Sequence, residues 1–328
     1  MKWERLGRLC VLLFACGALA SNAAPPLELD LNGYADNSGA ISVLYQGDSA
    51  DPYFAMQALL LARDNGLDID KPASDFIRWL LPRQKPDGTF DRFCRNDDQP
   101  WVACQTADAD DSMLALWMLL LGTQRAELER NLVWQKSYAI SKTSLERLFQ
   151  PSRGVYMVSP VYFHGLLMDN LEVWSYLSKS TMPNRSAEAS KLAKSIQGTF
   201  WDPVNKRFLV STQLEQRKEK AQFYPDHVAQ IFPLLVNFPV TVRDEPSFYQ
   251  RWITSYRREW LKQSEKDYPW GLIAVLALRE NDAASVRCWL REATSLRHSS
   301  RWAVTDEVAY QIVTNAQMTA VSKTTVCK

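Results

Sequence analysis

The sequence predicts an all-α fold, an (α/α)6 toroid in which six inner helices form a ring and outer helices pack between them. Three observations predict it. Apolar residues recur at helical spacing along the chain, and no convincing alternating strand interrupts them. Helices that are apolar on most of their circumference, such as YFAMQALLLA, SMLALWMLLL, HVAQIFPLLV and WGLIAVLAL, alternate with charged amphipathic ones such as SAEASKLAKSIQ and SFYQRWITSYRREWLKQ. The first kind is buried on all sides and the second faces solvent. Finally, a turn followed by an aromatic recurs as PDGTFDRF (86–93), PSRGVYMV (151–158) and PVNKRFLV (203–210). These read as one device capping successive helical hairpins, with a period of very roughly fifty residues, as in a closed helical repeat.

In chain order, helices are expected at 52–64, 72–83, 109–122, 138–149, 160–178 and 186–199, then at 226–237, 245–262, 269–280, 284–294 and 305–315, with a weaker one at 125–132. The inner ones open at Asp51-Pro52, Asp108-Ala109, Ser159-Pro160, Asp226-His227, Pro269-Trp270 and Thr305-Asp306. Asp, Ser and Thr cap helix N-termini, and Pro suits the first helical position. No long Gly/Ser linker or charge run divides the chain, so residues 24–328 are expected to form a single domain.

The chain has 328 residues, 46% hydrophobic and 23% charged, with a formal net charge of +1. That composition builds a large core and gives no electrostatic case for nucleic acid or an anionic membrane. Residues 1–23 read as an export signal, with basic MKWERLGR, apolar LCVLLFACGALA and small-residue cleavage sites at ALA or SNA. Leu13-Phe14-Ala15-Cys16 also resembles a lipobox, which would make Cys16 a lipid anchor facing the periplasm. A periplasmic or secreted monomer is expected. Export makes Cys94, Cys104, Cys288 and Cys327 candidates for disulfides. Cys94 and Cys104 bracket a short loop and suit a staple; different pairing or free thiols are the alternatives. With three His in the chain, a Cys/His zinc site is not expected. No phosphate loop, G-x-S-x-G elbow or H-E-x-x-H is present, and no cofactor is expected.

The chemistry-bearing stretch is QTADADDSMLALWMLLL, 105–121. One helix needs one cap, yet Asp108, Asp110 and Asp111 all stand at its mouth. Asp108 and Asp111 are three apart and share a face. Clustered carboxylates raise one another's pKa, so one stays protonated while another is ionised. The oxygen spacing and Gly of a calcium loop are missing, so no metal site is expected. In a ring with inner N-termini at one end, Asp51, Asp108 and Asp226 converge. Twelve Trp suit a cleft where flat rings stack on sugars. In SPVYFHGLLMDNLEVW, His164, Asp169 and Glu172 are expected in one inner helix, the carboxylates needing an Arg or Tyr partner from a neighbouring helix.

Three segments resemble the family-8 glycoside hydrolases and the wider six-hairpin glycosidase group. TADADDSMLALWMLLL is similar to the family's D-A-D opening an inner helix. DPYFAMQALLLARDNG is similar to the segment of its catalytic acid, and FYPDHVAQIFPLL to that of its base. FWDPVNKRF resembles the hairpin-capping turns of six-hairpin enzymes, so the matches run in order through 45–238. The resemblance implies inverting hydrolysis of a polysaccharide or oligosaccharide, which needs acid and base about 6.5–9.5 Å apart. It implies Asp51, or Asp48, as the acid, Asp226 as the base, and Asp108 holding the sugar, with Asp111 on the same rim. Tyr53, Trp101, Asp110, Tyr162, His164, Tyr224, His227 and Trp270 are the candidate substrate contacts. The sequence departs from the family in one place: its acid is a Glu, and residues 42–56 contain none.

Two alternatives stand beside this reading. DADDS resembles the D-x-D-D-T motif of class II terpene cyclases, with Asp110 as proton donor, and WLLPRQKPDGTF resembles their Q-W repeat. The other is a toroid that binds polysaccharide or a partner without turnover.

Overall fold

A computed structural model describes residues 27–97, 99–180, 184–215, 220–240, 247–321 and 327. The expected export signal and Cys16 lie outside them. The fold is mostly helical. The helices in chain order are α1 (Pro52–Asp64), α2 (Asp70–Leu80), α3 (Asp110–Thr123), α4 (Arg125–Arg130), α5 (Leu132–Arg147) and α6 (Leu167–Lys179). They continue with α7 (Arg185–Phe200), α8 (Val228–Leu235), α9 (Phe248–Leu261), α10 (Gly271–Arg279), α11 (Ala283–Ala293) and α12 (Val304–Asn315). None of the described helices is long and apolar enough to cross a membrane.

Burial follows the apolar pattern. In α3 every residue from Asp111 to Leu121 is buried. In α5 only Trp134, Ser137, Ser141 and Leu145 are, a single stripe at helical spacing. Ser137 accepts the Trp117 indole N–H at 2.9 Å, fastening α5 to α3. The buried helices touch in succession: α1 packs on α3, α3 on α6, α6 on α8, α8 on α10, α10 on α12, and α12 back on α1. Each fully buried Leu on these faces contributes about 1.5–3 kcal/mol. At Gly271 the approach is close enough that a Cβ would lie 2.5 Å from the Ala309 Cβ.

The recurring turns are short hairpins. Phe149–Gln150 pairs with Val155–Tyr156, and Trp201–Asp202 with Arg207–Phe208. The first turn leads into a three-stranded antiparallel sheet of Ser49–Ala50, Asp91–Cys94 and Val102–Thr106. Disulfides join Cys94 to Cys104 and Cys288 to Cys327.

The N-terminal stretch is stitched to the end of the chain. Tyr45 N–H donates to Trp302 O at 3.2 Å, and Val304 N–H to Val43 O at 2.9 Å. The Gln311 amide donates to Asp30 O at 2.6 Å.

Several boundaries differ from expectation. The helix expected at 160–178 begins at Leu167. Ser159 Oγ does accept Val161 and Tyr162 N–H, at 3.3 and 3.0 Å, as an N-cap would. However, the chain then bends over 160–162, His164 N–H turns back to Tyr162 O at 2.9 Å, and Leu166 forms a β-bridge with Ser211. His164 therefore precedes α6 rather than lying in it. The helix expected from Asp226 begins at Val228, after a π-helical turn over Phe223–His227. The one expected at 138–149 runs from Leu132, where Asn131 caps it.

Candidate active site

The N-terminal ends of α1, α3, α6, α10 and α12 surround one cavity of about 350 Å³. Asp51, Asp108, Asp169, Asp267 and Asp306 line it, and its rings include Tyr53, Tyr224, Tyr268 and Trp270. Two of the three carboxylates expected to converge are here. Asp51 caps α1, its Oδ1 accepting Tyr53 N–H at 3.0 Å. Its Oδ2 accepts Arg92 Nε–H at 2.7 Å. The same guanidinium donates to Asp108 Oδ2. Arg92 reaches both from the strand Asp91–Cys94, which the Cys94–Cys104 bond fastens to its neighbour.

Asp108 was expected to cap α3 and does not. Val158 O takes the Asp110 and Asp111 N–H groups at 2.8 and 3.4 Å, and Asp111 Oδ1 the Ser112 N–H at 3.0 Å, so the helix end is satisfied without Asp108. This frees Asp108 to reach Arg92, with 78% of its side chain exposed.

Below the cavity lies a group of buried carboxyls from two helices. Asp111 of α3 and Glu172 of α6 are buried, and each has one oxygen that meets no donor. Asp169, one turn before Glu172, reaches the cavity, and its Oδ2 is likewise without a partner. Tyr53 of α1 donates its hydroxyl to Glu172 Oε1 at 2.7 Å, and Gln57 donates to that hydroxyl at 3.0 Å. The Tyr partner expected from another inner helix is thus Tyr53.

Burial sets the electrostatics. It pushes Asp169 up to about 7, with Asp108 adding to the rise. Glu172 goes to about 8, through burial and then the charge of Asp169, although the Tyr53 and Gln57 bonds pull it back. Asp111 is raised well above the ordinary carboxylate range by burial and Asp169. Asp306, in the first turn of α12, is pushed by burial to about 7, while the Gly271 N–H on its Oδ1 at 2.7 Å opposes the rise. Asp51 is raised by burial and drawn back by Arg92 and the Tyr53 N–H.

The other expected residues lie elsewhere. Asp226 accepts Gln222 N–H at 3.0 Å and faces a separate hollow with His227, Gln230 and Tyr256. His227 stacks on Tyr256 at 4.0 Å and pairs with Glu259 at 3.0 Å. Asp48 is exposed, ahead of the short strand at Ser49. Trp101 turns its indole N–H to Asp36 at 2.7 Å, under the Arg95 guanidinium. His164 meets the Gln213 amide at 3.2 Å. Asp110 and Tyr162 line a second hollow with Lys85, Asp87 and Arg147. Among the described residues no group of three or more His, Cys, Asp or Glu is placed to hold a metal ion.

Sequence reasoning missed Arg92, Tyr268 and the place of Asp306 on the cavity. Asp306 carried a signal, as a carboxylate in the first turn of an apolar helix; Arg92 carried none.

No protein-family model matches the chain, and no curated protein matches it. A solved structure described as "a novel alpha-amylase from Clostridium perfringens" is similar, with a TM-score of 0.58 at 10% identity over 86% of this chain and 95% of that one. At that identity the likeness is one of fold.

Proposed function

We propose that the chain is a glycoside hydrolase built as a single-domain (α/α)6 toroid, cleaving a polysaccharide or oligosaccharide with inversion. The closed succession of helix contacts supports the toroid. The observation that carries the function is the meeting of Asp51, Asp108 and the rings of Tyr53, Tyr224 and Trp270 on one cavity. Rings hold sugar faces while carboxylates orient hydroxyls and move protons. The similar structure's name, an α-amylase, agrees with a carbohydrate substrate.

In this reading Asp108 activates the water. Arg92 holds its Oδ2, and its exposed Oδ1 is left to take the water's proton. Asp226 faces another hollow and is not used. Asp51 orients rather than donates: both its oxygens accept bonds that favour the ionised form. The proton donor is then another carboxyl of the same cavity. Two disulfides and the expected export signal support a periplasmic or secreted protein, with a lipid anchor at Cys16 as the alternative.

Reducing-end release over α- and β-glucans, xylan, chitosan and bacterial exopolysaccharides tests the reading. Product from wild type, lost in D108N, supports it; no product from any glycan overturns it. One observation favours a second reading, a binder without turnover: Arg92 neutralises Asp51 and Asp108 together. Retained glycan binding with no product would decide for that reading.

A further inference from the structure

We propose that Asp169, a half-buried carboxyl on the cavity whose enclosed Oδ2 meets no hydrogen-bond donor, is the proton donor to the glycosidic oxygen. The inference rests on the glycoside hydrolase reading. Of the other carboxyls there, Asp51 accepts from Arg92 and Tyr53, Asp108 from Arg92, and Asp306 from Gly271, while Asp267 is exposed to solvent. Each of those bonds favours the ionised form. Asp169 receives none among the described residues, and its Oδ2 is shut off from solvent.

Arg92, the cation lining the cavity, pairs with Asp51 and Asp108 and not with Asp169. Asp108 and Asp111 face it from the α3 side, Glu172 follows one turn later on α6, and Tyr53 and Tyr224 are near enough to feel its charge. Glu172 and Asp111 are themselves buried with an orphaned oxygen each, and crowded carboxyls cannot all ionise. The position at about 7 agrees with a group that carries its proton into the neutral range. In the step, the Asp169 O–H proton passes to the glycosidic oxygen as the C1–O bond breaks. Water adds to C1 from the opposite face and gives its proton to Asp108. The balance is one water consumed per bond cleaved.

Asp169→Asn keeps the shape and removes the proton. It is expected to lower kcat/KM on a natural glycan, whose leaving group needs protonation, by about 10²–10⁴-fold. On a 2,4-dinitrophenyl glycoside, whose leaving group departs without a proton, the loss is expected to stay under about tenfold by the same reasoning. Equal losses on both substrates, or the contrast appearing in D306N instead, overturn the assignment while leaving the hydrolase reading intact. No cleavage by wild type overturns both. A second readout needs no substrate: the infrared carboxylic C=O band of wild type loses a component in D169N. In D108N that component titrates away at lower pH than in wild type, because a neighbouring negative charge is gone. A component unchanged by both substitutions overturns the inference.

Discussion

Replacing Arg92 by Met tests the account of the site at its buried ion pair. Asp51 is 5% exposed, and the guanidinium is the cation hydrogen-bonded to it. Breaking a buried ion pair from one side costs about 3–5 kcal/mol, and the quarter exposure of Arg92 places this case near 3. The Asp108 half adds less than about 1 kcal/mol, since that carboxylate is solvated. Arg92 lowers the folded-state pKa of Asp51, so its removal raises that pKa further above the unfolded value. A carboxyl raised on folding costs stability above its unfolded pKa, about 3.9, and the cost grows with pH until the folded group ionises. The R92M deficit is therefore small near pH 4 and full, about 3 kcal/mol, at pH 7.5. Urea denaturation of wild type, R92M and R92M/D51N at both pH values measures it. The double variant regains most of the loss, because an amide still accepts the Tyr53 N–H. A deficit below about 0.5 kcal/mol at pH 7.5, or one equal at both pH values, refutes the argument that Arg92 compensates a buried charge.

The remaining predictions concern neighbouring features. Replacing Cys94 and Cys104 by Ser opens a loop of sequence separation 10, and urea titration should show a loss of about 2–3 kcal/mol. Tyr53→Phe leaves Glu172 without its shortest bond and should cost about 1–2 kcal/mol in the same assay; an unchanged midpoint would mean the bond contributes nothing. Asp306 is buried and raised to about 7, so wild type loses stability as pH rises from about 4 toward that value. Asp306→Asn removes this slope and should be more stable at pH 8 by about 2–4 kcal/mol; a parallel pH profile would count against it.

The helical elements were legible where local signals decided them. Asp51-Pro52 set the start of α1 to the residue, and the apolar run 112–121 declared itself buried. What was lost depended on partners remote in sequence. Ser159 caps like a helix start, and only Ser211, far along the chain, draws Leu166 into a β-bridge that delays the helix. Asp108 looked like a cap because the carbonyl that replaces it, Val158 O, belongs to a neighbouring hairpin. The site was half legible for the same reason. Carboxylates announce themselves by residue type, so Asp51 and Asp108 were found. Arg92 resembles any other strand residue until two carboxylates meet on it.

The seam between residues 43–45 and 302–304 has a consequence for synthesis. During translation, α1 leaves the ribosome long before α12, the helix that closes against it. Until then the wall carrying Asp306 does not exist, and the face of α1 that meets α12 has nothing to cover it. A chain truncated before α12 therefore lacks this wall of the cavity, and the nascent protein must keep an apolar surface shielded until α12 is made.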